Sequence, residues 1–598
     1  MRIGIDSGGT FTDFVILHDD GRLESFKLRS NPAAPASVIL EGIERIAASQ
    51  QTKKADVVHG STVATNALLE RKGAKTAFVT TAGFEDLIAI GRQNRPELYN
   101  LTPDPAKPLV PRELCFGADE RMLFDGTVAK PLRGIEKLKK RLRGVESIAI
   151  CLLHSYQNDA HERELLKALE GIGYVCASCD TSPEFREFER ASTTVINAYV
   201  GPLMDRYLGE LERGCSHPLS VMQSNGGLLT ASEARKHAVR TILSGPAGGV
   251  AGAIEIARIA GFESAVTFDM GGTSTDVALV GRESRLSTEA RVDGFPVRVP
   301  MLDIHTAGAG GGSIAYIDAG GSLRVGPESA GASPGPACYG IGDRPTVTDA
   351  HVILGRIDPN RLMGGTLRID PARAEKALAC LGKPKDVAAA VVRIANSNME
   401  RAIRAVSVER GEDPRDYPLV AFGGCGGLHA CELAESLGIR TVIIPRMAGV
   451  LSALGMLLAD RQRDFSIGAL GASDYEARFR KLEKLAPRGA RKERFADVRY
   501  SGQSYELTIP WLADGASSFH DAHQGVYGYS DPGRATQIVT LRLRATIPVQ
   551  RPTIKPGEAD YGSTTFIPRG WSSRSDSAGS SILTYTPDRT RRVIRNQK

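Results

Sequence analysis

Aspartate, glycine and threonine residues recur twice in this sequence with the same spacing. Asp269 and Asp276 each follow Asp6 and Asp13 by 263 residues, and the residues between them repeat almost letter for letter. The first copy contains Asp6, Ser7, Gly8, Gly9, Thr10, Thr12 and Asp13, and the second contains Asp269, Gly271, Gly272, Thr273, Thr275 and Asp276. The constant offset indicates one aligned repeat rather than several coincidences.

Each copy has the residue types that bind a phosphate group. Two adjacent glycines allow a ligand to approach the main chain closely, and successive amide N–H groups in such a turn form a concave anion site. The threonine hydroxyls add further donors. The leading carboxylates, Asp6 and Asp269, can hold a hydrated Mg²⁺ or orient a water molecule, because Mg²⁺ keeps several waters and takes only one or two carboxylates. The repeat therefore predicts two phosphate-binding turns.

A plain β-hairpin is the main alternative for either turn. A single glycine-threonine turn between strands usually has no ligand, since glycine is common in tight turns. A plain hairpin does not need an aspartate at both ends, however, and turn residues normally vary from one hairpin to another. The two copies together therefore favour phosphate binding.

Short apolar runs flank both turns and must position them. Residues 2–5 and 265–268 precede the two copies, and residues 14–17 and 277–280 follow them. Apolar runs on either side of a glycine turn predict a strand, a tight turn and a second strand. Each turn is thus expected at the tip of a hairpin.

Strands and helices are predicted to alternate as far as Pro183. Predicted strands at 147–153 and 174–177 flank a charged helix, and this alternation indicates an α/β domain. Cys176 and Cys179 form a lone C-x-x-C at the end of the second strand. Zinc sites need a second ligand pair, so a metal or redox role is not favoured.

The bulk composition is that of an ordinary soluble protein. The 598 residues are enough for roughly three to five domains, and 42% of them are hydrophobic. The net charge of +6 is spread along the chain, so nucleic-acid binding is not expected. Nine cysteines and no visible targeting segment predict reduced thiols in the cytoplasm. The longest apolar run, at 447–459, is too short to span a membrane.

A polar group lies where a predicted strand meets a predicted helix. His59 ends the strand, and the helix is expected to begin near Thr62 and to stop at Gly73. Thr62 and Asn66 are four residues apart, so they share one helix face that could line a cleft. The simpler interpretation is that Ser61 or Thr62 caps the helix and that His59 is a satisfied core histidine.

Two further glycine-rich segments follow apolar runs. Residues 244–249 open a predicted helix at 250–259, and either a phosphate at the helix N-terminus or close helix packing would explain these glycines. Residues 303–313 have a glycine density that predicts a loop shaped around another group.

A third glycine-rich turn is expected after the strand that ends at Phe422. Four glycines are predicted to form it: Gly423, Gly424, Gly426 and Gly427. A helix at 428–437 follows, with Gly438 as its stop. Such a turn would let a flat ring or a sugar lie against the backbone. The signatures G-x-G-x-x-G and G-x-x-x-x-G-K-[ST] are absent from the sequence, so dinucleotide-binding and P-loop folds are poor candidates.

The order of two phosphate turns and a glycine-rich nucleoside turn resembles the actin, sugar kinase and heat-shock-ATPase superfamily. A narrower resemblance, from Arg2 to about Tyr529, is to the hydantoinase A family. That family includes N-methylhydantoinase A subunits, the amino-terminal half of ATP-dependent 5-oxoprolinase, and the ATP-using subunits of acetone and acetophenone carboxylases. The motifs that carry the resemblance are HGST at 59–62, GRQ at 91–93, SNGG at 224–227, SGPA at 244–247, DIHT at 303–306, GPESAG at 326–331 and PGPACYG at 334–340.

The resemblance implies an α/β fold of two related actin-like (ribonuclease H-like) lobes with a nucleotide cleft between them. A smaller carboxyl-terminal β-rich domain would follow. The corresponding division is a first lobe at 1–183, a core lobe with the second phosphate turn and the adenosine turn at 184–470, and a carboxyl-terminal α+β domain with a flexible tail at 471–598.

The resemblance also implies ATP-driven activation of a cyclic amide such as 5-oxoproline or a hydantoin, with Mg²⁺ as the metal. Transfer of the γ-phosphoryl group to the carbonyl oxygen would turn that oxygen into a leaving group, and hydrolysis would follow. Positioning and charge neutralisation are most of what phosphoryl transfer requires.

The motif match implies a role for each candidate residue. Asp6 and Asp269 would hold Mg²⁺ and, with His59, form the catalytic group. The two turns would hold the triphosphate from opposite sides, and the four glycines at 423–427 would pack on the adenosine. The substrate side would consist of Thr62, Asn66, Arg92 and His305, where a histidine or arginine can bind an oxyanion.

The resemblance implies a partner as well. No hydantoinase B-like half follows in the sequence, so a separate hydantoinase B-like subunit is expected in a homo- or hetero-oligomer. The carboxyl-terminal part departs from the family, with a shortened segment at 552–561 and a basic end at 589–598. This departure leaves open a partly inactive paralogue.

Two alternative functions also stay open. One is an ATP-dependent ketone carboxylase subunit, and the other is a nucleotide-binding regulator of the same superfamily that has no small substrate. The polar segments around His59 and at 303–306 favour an enzyme, because a regulator does not need a polar substrate cleft.

Overall fold

The computed structural model describes residues 1–586 except 10, 32, 51–54, 95–98, 100–106, 282–285, 288–289, 361–367, 513–516, 552 and 556–562. The described residues form a mixed α/β fold. Thr10, most of the shortened segment and the basic carboxyl-terminal end lie outside the described residues.

The strands form three large sheets and several two-stranded ribbons. In chain order they are β1 (Arg2–Ser7), β2 (Phe11–Leu17), β3 (Leu23–Arg29), β4 (Asp56–Ser61), β5 (Thr76–Thr81), β6 (Cys115–Met122), β7 (Val128–Arg133), β8 (Ser147–Ile150), β9 (Tyr174–Ala177), β10 (Leu219–Met222), β11 (Leu228–Thr230), β12 (Ala265–Met270), β13 (Thr275–Val280), β14 (Leu286–Ser287), β15 (Ala290–Val292), β16 (Phe295–Val297), β17 (Met301–Leu302), β18 (His305–Ala307), β19 (Ser313–Ile317), β20 (Leu323–Ser329), β21 (Leu419–Phe422), β22 (Thr441–Ile444), β23 (Arg461–Gly468), β24 (Arg491–Tyr500), β25 (Leu507–Pro510), β26 (Thr536–Ile547), β27 (Trp571–Ser575) and β28 (Ser581–Tyr585). The predicted hairpins at both copies of the repeat are confirmed as β1–β2 and β12–β13.

The helices pack on the faces of these sheets. In chain order they are α1 (Pro35–Gln50), α2 (Val63–Leu69), α3 (Leu87–Ile90), α4 (Ile135–Arg141), α5 (Ala160–Ala168), α6 (Ser178–Thr181), α7 (Glu187–Gly214), α8 (Ala231–Lys236), α9 (Ser244–Ile259), α10 (Val347–Ile353), α11 (Pro371–Ala379), α12 (Pro384–Val406), α13 (Gly423–Leu437), α14 (Leu451–Leu458), α15 (Tyr475–Leu485) and α16 (Ser517–Tyr527).

The first sheet contains the amino-terminal hairpin. Its order is β25-β24-β26-β23-β11-β10-β4-β1-β2-β3, with β1 antiparallel to β2 and parallel to β4. Side chains alternate between the two faces of a strand. Phe14 and Ile16 accordingly lie in one buried cluster, and Val15 and Leu17 lie in another. The sheet is thus buried on both faces around the hairpin.

The second sheet contains the other hairpin. Its order is β18-β13-β12-β21-β22-β28-β27, with β12 antiparallel to β13 and parallel to β21. The two hairpins therefore occupy equivalent positions, each with an antiparallel partner on one side and a parallel neighbour on the other. A third sheet, with the order β7-β6-β5-β8-β9, includes the strands predicted at 147–153 and 174–177.

Helices α9 and α14 join the two hairpin sheets. A Cβ atom on Gly455 of α14 would lie 2.0 Å from the Gly248 carbonyl oxygen of α9, so the two backbones are in direct contact. A Cβ on Gly4 of β1 would lie 2.2 Å from the Ala453 oxygen, and one on Gly249 would lie 2.8 Å from the Phe422 ring. Close packing is therefore one reason for the glycines at 244–249, and it fixes the sheets relative to each other.

The sheets cross the predicted domain boundaries. Strands β24, β25 and β26 of the predicted 471–598 domain extend the first sheet through β23, and β27 and β28 join the second sheet. The carboxyl-terminal strands are thus continuous with the two sheets that contain the hairpins. The division at 183 and 470 stays a prediction.

All nine cysteines are free thiols, as their odd number suggested, whereas the cytoplasmic location stays a prediction. Within the part of the chain that the structure describes, no helix combines the length and the apolar character that a membrane crossing needs.

Candidate active site

The first hairpin places its two aspartates side by side. Asp6 pairs with Asp13 across the β1–β2 ladder, and Ser7 pairs with Thr12. The Gly8 N–H donates to the Phe11 carbonyl oxygen at 3.1 Å and closes the turn. Both carboxylates are partly exposed, although the strands that hold them are buried.

The second hairpin repeats this geometry. Asp269 pairs with Asp276 across the β12–β13 ladder, and the Gly271 N–H donates to the Ser274 carbonyl oxygen at 3.1 Å. The donor and acceptor of this bond follow those of the first turn by the same 263 residues. The sequence repeat is therefore a repeat of backbone structure.

The electrostatics of the two hairpins indicate that their carboxylates lie close to one another, and the space between them is called the crevice here. Burial and the neighbouring Asp13 raise the pKa of Asp6 to about 7, against an opposing effect of Lys27. Burial, then Asp276, and then Asp6 and Asp13 of the other hairpin raise the pKa of Asp269 to about 8. Charges influence each other in this way only over short distances, because solvent and salt screen them beyond about 10 Å.

The N-terminus of α9 lies beside the first hairpin. Cβ atoms on Gly245 of α9 and Gly60 of β4 would lie 3.5 and 3.7 Å from Asp6 Oδ1. The Ser244 hydroxyl donates to the Ser61 carbonyl oxygen at 3.0 Å and accepts the Ser61 N–H at 3.2 Å. The helix N-terminus is thus fastened to the end of β4, with its positive dipole end near Asp6.

Lys27 is a crevice residue that the sequence motifs did not identify. Its Nζ donates to Asp13 Oδ1 at 2.8 Å and to the Gly449 carbonyl oxygen at 2.9 Å. The register between β2 and β3 pairs Lys27 with Asp13. The repeated motif does not include β3, so the position of Lys27 beside Asp13 could be predicted only from the strand register.

Thr62 and Asn66 lie next to the first turn. The Thr62 hydroxyl donates to the Ser7 carbonyl oxygen at 3.2 Å, and Asn66 Nδ2 donates to Thr62 Oγ1 at 3.4 Å. Thr62 is the N-cap residue of α2, and the Ser61 hydroxyl accepts the Val63 N–H at 3.1 Å. The structure therefore brings these two predicted substrate residues to the rim of the crevice.

His59 does not reach the crevice. Its side chain is 0% exposed, and burial lowers its pKa to about 4. His59 Nδ1 lies 3.2 Å from the Ile5 carbonyl oxygen, which can only accept, so the neutral ring donates there and its Nε2 accepts from the Tyr207 hydroxyl at 2.6 Å. The geometry favours the simpler interpretation of His59 as a satisfied core histidine over a catalytic group.

The glycine run at 308–312 supports the second turn. The Gly311 and Gly312 N–H groups donate to the carbonyl oxygens of Gly271 and Gly272 at 3.1 and 2.7 Å. A Cβ on Gly310 would lie 2.6 Å from the Thr273 nitrogen. This loop is therefore shaped around the second turn. The high density of glycines in the sequence predicted such a close contact.

The glycines at 423–427 differ from the prediction. They form the first turn of α13 rather than a loop before it. Gly423 has a φ of +77°, and a Cβ there would lie 2.4 Å from Asp269 Oδ1. Gly424 is exposed, but Gly426 and Gly427 are buried, and the Gly427 carbonyl oxygen accepts the Phe566 N–H at 3.0 Å. Gly423 and Gly424 are thus the more accessible of the four, and the packing of these glycines on an adenosine stays a prediction.

Arg92 lies in a separate cavity. Its Nε and Nη2 donate to the Glu189 carboxylate at 2.9 and 2.6 Å. Glu189 is near the start of α7, and Tyr207, which contacts His59, is 18 residues further along that helix. At 1.5 Å per residue this corresponds to about 27 Å. The structure therefore does not bring Arg92 to the hairpin turns.

His305 borders the second hairpin from outside. It pairs with Val277 in the β13–β18 ladder and lines a cavity of about 800 Å³. The next residue, Thr306, donates through Oγ1 to Asp276 Oδ1 at 2.5 Å. Adjacent strand residues point to opposite faces, so the motif reaches the hairpin carboxylates through Thr306 rather than through His305.

The fold and the paired turns define a mixed α/β protein with four carboxylates around one crevice. Two family models match its sequence: Hydantoinase/oxoprolinase N-terminal region over residues 2–173 and Hydantoinase/oxoprolinase over residues 190–465. The chain belongs to the hydantoinase/oxoprolinase family, as its motifs predicted.

The relatives with named activities include a caprolactamase subunit and a 5-oxoprolinase. Caprolactamase subunit alpha of Pseudomonas jessenii is 34% identical over 95% of this chain and 90% of its own length. The crystal structure of the ATP-dependent caprolactamase from that organism aligns at a TM-score of 0.86 and 31% identity, covering 98% of this chain and 100% of that one. The 5-oxoprolinase of Saccharomyces cerevisiae is 33% identical over 91% of this chain, which spans only 49% of that relative.

A further solved structure has the same fold at lower identity. The nucleotide-free acetone carboxylase aligns at a TM-score of 0.78 and 25% identity, covering 98% of this chain and 99% of that one. The mixed α/β fold is therefore shared along almost the whole chain by a lactamase and by a ketone carboxylase.

Proposed function

We propose that this chain is the ATP-using subunit of a cyclic-amide hydrolase. It transfers the γ-phosphoryl group of ATP to the carbonyl oxygen of a lactam, a hydantoin or 5-oxoproline. The observation that carries the proposal is the pair of equivalent turns whose carboxylates, Asp6 and Asp269, face one crevice. The similarity to an ATP-dependent caprolactamase over almost the whole chain supports it.

The proposed reaction overcomes the low reactivity of the amide. The amide carbonyl oxygen attacks the γ-phosphorus, the bond from that phosphorus to the β,γ-bridging oxygen breaks, and ADP leaves. The former carbonyl carbon then carries a phosphate leaving group. Water attacks this carbon, and the ring C–N bond breaks with proton transfer to nitrogen, which leaves a free amine and an acyl phosphate. A second water then attacks the acyl phosphate and releases the carboxylate and phosphate.

We infer that the nucleotide lies between two related actin-like lobes. The equivalent positions of β1–β2 and β12–β13 in their sheets support this inference. The unblocked glycines of the turns support it too, because a Cβ on Gly9 or Gly272 would meet no atom within 4 Å. Steric crowding therefore does not require glycine at these two positions, whereas close approach of a phosphate does.

In this proposal the two turns hold the triphosphate through main-chain N–H groups. Gly9 donates from one side and Gly272 from the other, as in other anion-binding turns, whereas the N–H groups of Gly8 and Gly271 close the turns. Asp269 lies near the reacting phosphoryl group. Thr62 and Asn66 supply polar contacts for the substrate at the rim of the first turn.

The carboxylates at the crevice fit a magnesium ion. Among the described residues no group of three or more His, Cys, Asp and Glu side chains is arranged to hold a metal, but Mg²⁺ takes only one or two carboxylates. Burial and mutual repulsion disfavour the charged forms of Asp6 and Asp269, and a divalent cation would relieve both effects. Bound there, Mg²⁺ would neutralise charge on the phosphates during transfer.

A hydantoinase B-like partner subunit is part of the proposal. The name of the Pseudomonas jessenii relative, subunit alpha, implies a second subunit in that enzyme. The 5-oxoprolinase relative is about twice as long as this chain, which fits a second half supplied there within one polypeptide. We propose that the partner carries out the steps after phosphorylation.

Ketone carboxylation is a weaker candidate. The acetone carboxylase structure is less similar, at 25% identity against 31% for caprolactamase. A regulator without a small substrate stays an alternative, because buried His59 no longer supports a substrate cleft. The exposed Asn66 beside Thr62 still does.

The test is ADP release by the purified chain, alone and with its partner subunit. The chain alone is expected to bind Mg-ATP and hydrolyse it slowly. Caprolactam, 5-oxoproline or a hydantoin should raise the rate in the presence of the partner, and acetone with bicarbonate should not. Stimulation by acetone alone would indicate the carboxylase, and no stimulation by any compound would favour the regulator.

A further inference from the structure

A second large cavity lies away from the hairpin crevice. It has a volume of about 650 Å³ and is enclosed by the end of β9, the residues after α8, β23 and α15. All of its lining residues belong to the described part of the chain. None of the candidate residues for nucleotide or substrate lines it.

Arg240 forms part of the wall and has an incompletely compensated charge. Within the described residues it makes no ion pair, and its Nε is buried without a hydrogen-bond partner. Its Nη2 donates to the Asp464 main-chain oxygen at 3.2 Å, whereas the Asp464 carboxylate accepts from Asn225 Nδ2 at 2.6 Å and Arg544 Nε at 3.1 Å. A buried cation in this condition is costly unless an anion joins it.

His237 adds a second polar group to the same wall. Its Nδ1 is buried and has no hydrogen-bond partner. Burial, followed by Arg240, Arg463 and Lys236, lowers its pKa to about 3, so the ring is neutral. A neutral imidazole offers one N–H donor beside the guanidinium of Arg240.

The other arginines of the wall already have carboxylate partners. Arg163 pairs with Asp159 at 2.9 Å and with Asp180 at 2.7 Å, and Arg463 pairs with Glu233 at 3.0 Å. Arg240 therefore differs from these neighbours because, within the described residues, it makes no direct ion pair, and the carboxylates of Asp464, Glu233 and Glu184 act on it at longer range.

Three carboxylates also line the cavity, those of Asp180, Glu233 and Asp464, and each is paired with an arginine. Apolar side chains form another part of the wall. Phe465, Leu482 and Leu485 line it together with Cys176 and Cys179. Burial raises the pKa of Cys176 to about 12 and also raises that of Cys179, so both remain thiols. The C-x-x-C pair thus contributes uncharged wall surface.

We propose that this cavity binds a small organic carboxylate with a short apolar chain. The carboxylate accepts from the planar guanidinium of Arg240 and from the imidazole of His237. The apolar chain packs against Phe465, Leu482 and Leu485. The site is distinct from the nucleotide crevice and does not depend on the proposed reaction.

Hexanoate is a suitable probe, measured by isothermal titration calorimetry on the full chain. It is expected to bind more tightly than acetate, which lacks the apolar chain, and hexylamine and inorganic phosphate are expected not to compete with it. Equal binding of acetate, or displacement of hexanoate by phosphate, would overturn the assignment to an organic carboxylate.

Arg240→Gln tests the anchor of the site. We expect at least about a tenfold loss of hexanoate affinity, with a Tm of the unliganded variant equal to or above that of the wild type. Arg163→Gln is the matched control from the same wall and should bind hexanoate within about threefold of the wild type. Unchanged hexanoate binding by Arg240→Gln would contradict the proposal.

Leu485→Glu provides an independent variant that does not disturb the buried wall. Leu485 is 59% exposed at the cavity rim, so the added carboxylate should leave Tm unchanged and repel hexanoate. Hexanoate binding equal to wild type in this variant would also contradict the proposal. A lowered Tm in unliganded Arg240→Gln would assign Arg240 a structural role instead.

Discussion

The two hairpins have the same backbone but different surroundings. Both pair their aspartates across the ladder and close the turn with one hydrogen bond of 3.1 Å. Lys27 contacts Asp13 in the first hairpin, and Thr306 contacts Asp276 in the second. Among the described residues a lysine contacts the first turn and not the second, and we infer that the two otherwise equivalent turns have different tasks.

The difference in charge suggests how the tasks are divided. Lys27 partly offsets the raised pKa of Asp6, whereas the charges that shift the pKa of Asp269 are all carboxylates. The first hairpin, with Lys27 and the α9 N-terminus, is suited to anchoring anionic phosphates. The second hairpin is suited to the γ-phosphoryl group that reacts, because no described cation is paired with its carboxylates before the nucleotide and its metal bind. The following predictions test this asymmetry.

Replacement of Asp269 should have the largest effect. In Asp269→Asn we expect ATP turnover to fall by about 10³-fold, as when a group that stabilises a transition state is lost. Nucleotide affinity should stay within a few-fold, because the first hairpin still anchors the phosphates. Steady-state ADP release and equilibrium binding of a fluorescent ATP analogue measure the two quantities.

Asp6→Asn and Asp19→Asn are the matched comparisons for that variant. Asp6→Asn should weaken Mg-dependent nucleotide binding as well as turnover. Asp19, whose side chain is 92% exposed, should tolerate the change without effect. Unchanged turnover in Asp269→Asn would remove Asp269 from the mechanism.

Alanine at Gly9 or at Gly272 should have the next largest effect, a loss of ATP affinity. A methyl group on Gly9 or Gly272 meets no protein atom within 4 Å, so alanine should leave Tm unchanged. It should nevertheless weaken ATP affinity by about tenfold by keeping the phosphate from the backbone. Gly281→Ala, which also meets no atom within 4 Å at the far end of the second hairpin, is the control. Wild-type affinity in both turn variants would make the turns plain hairpins.

Loss of the lysine should give a smaller effect confined to the first hairpin. In Lys27→Met we expect ATP affinity to fall by about threefold to tenfold, since a half-buried cation near phosphates is removed. The effect should shrink in the Asp13→Asn background, where the lysine has lost its carboxylate partner. Turnover at saturating ATP should change little, and a large fall in kcat with unchanged affinity would reverse the assigned tasks.

His59→Phe should have the smallest effect on activity. Loss of the bonds to Ile5 and Tyr207 is expected to lower the free energy of unfolding by about 1–3 kcal/mol, with kcat per folded molecule nearly unchanged. Tyr207→Phe is the companion variant and should lower it by a similar or smaller amount. A fall in kcat of several orders of magnitude at unchanged Tm would restore His59 as a catalytic group.

The lowered pKa of His59 predicts that the free energy of unfolding depends on pH. Its folded pKa of about 4 is below the ordinary value of 6.5, so the unfolded state binds the proton more readily. The contribution of His59 to stability is therefore complete above pH 6.5 and is lost as the pH falls towards 4. His59→Phe should lose less stability than the wild type over this window, as measured by urea unfolding.

The sequence predicted local structure well where a motif was repeated. Both hairpins, their opposed aspartates and the stop of α13 at Gly438 follow from short-range patterns. The neighbours of these elements depend on long-range strand pairing, which leaves no local pattern. The pairing of β23 with β26 and the position of Lys27 beside Asp13 belong to this group.

Residue types alone also could not distinguish residues that line the site from buried residues that pack behind it. His59 and the glycines at 426 and 427 have types that suit a ligand, yet they are buried by Tyr207 and by the segment containing Phe566. In the motif at 303–306 the sequence prediction named His305, because histidine is the more reactive residue type, and did not name Thr306, which contacts Asp276. Burial and strand-face orientation, rather than chemistry, decided these assignments.

A crystal structure of the chain with Mg²⁺ and a non-hydrolysable ATP analogue tests the central claim most directly. The account predicts that the triphosphate contacts main-chain N–H groups of both turns, 7–12 and 270–275, with Asp6 and Asp269 on either side of it. A nucleotide bound elsewhere, or held by one turn while the other faces away, would contradict the account.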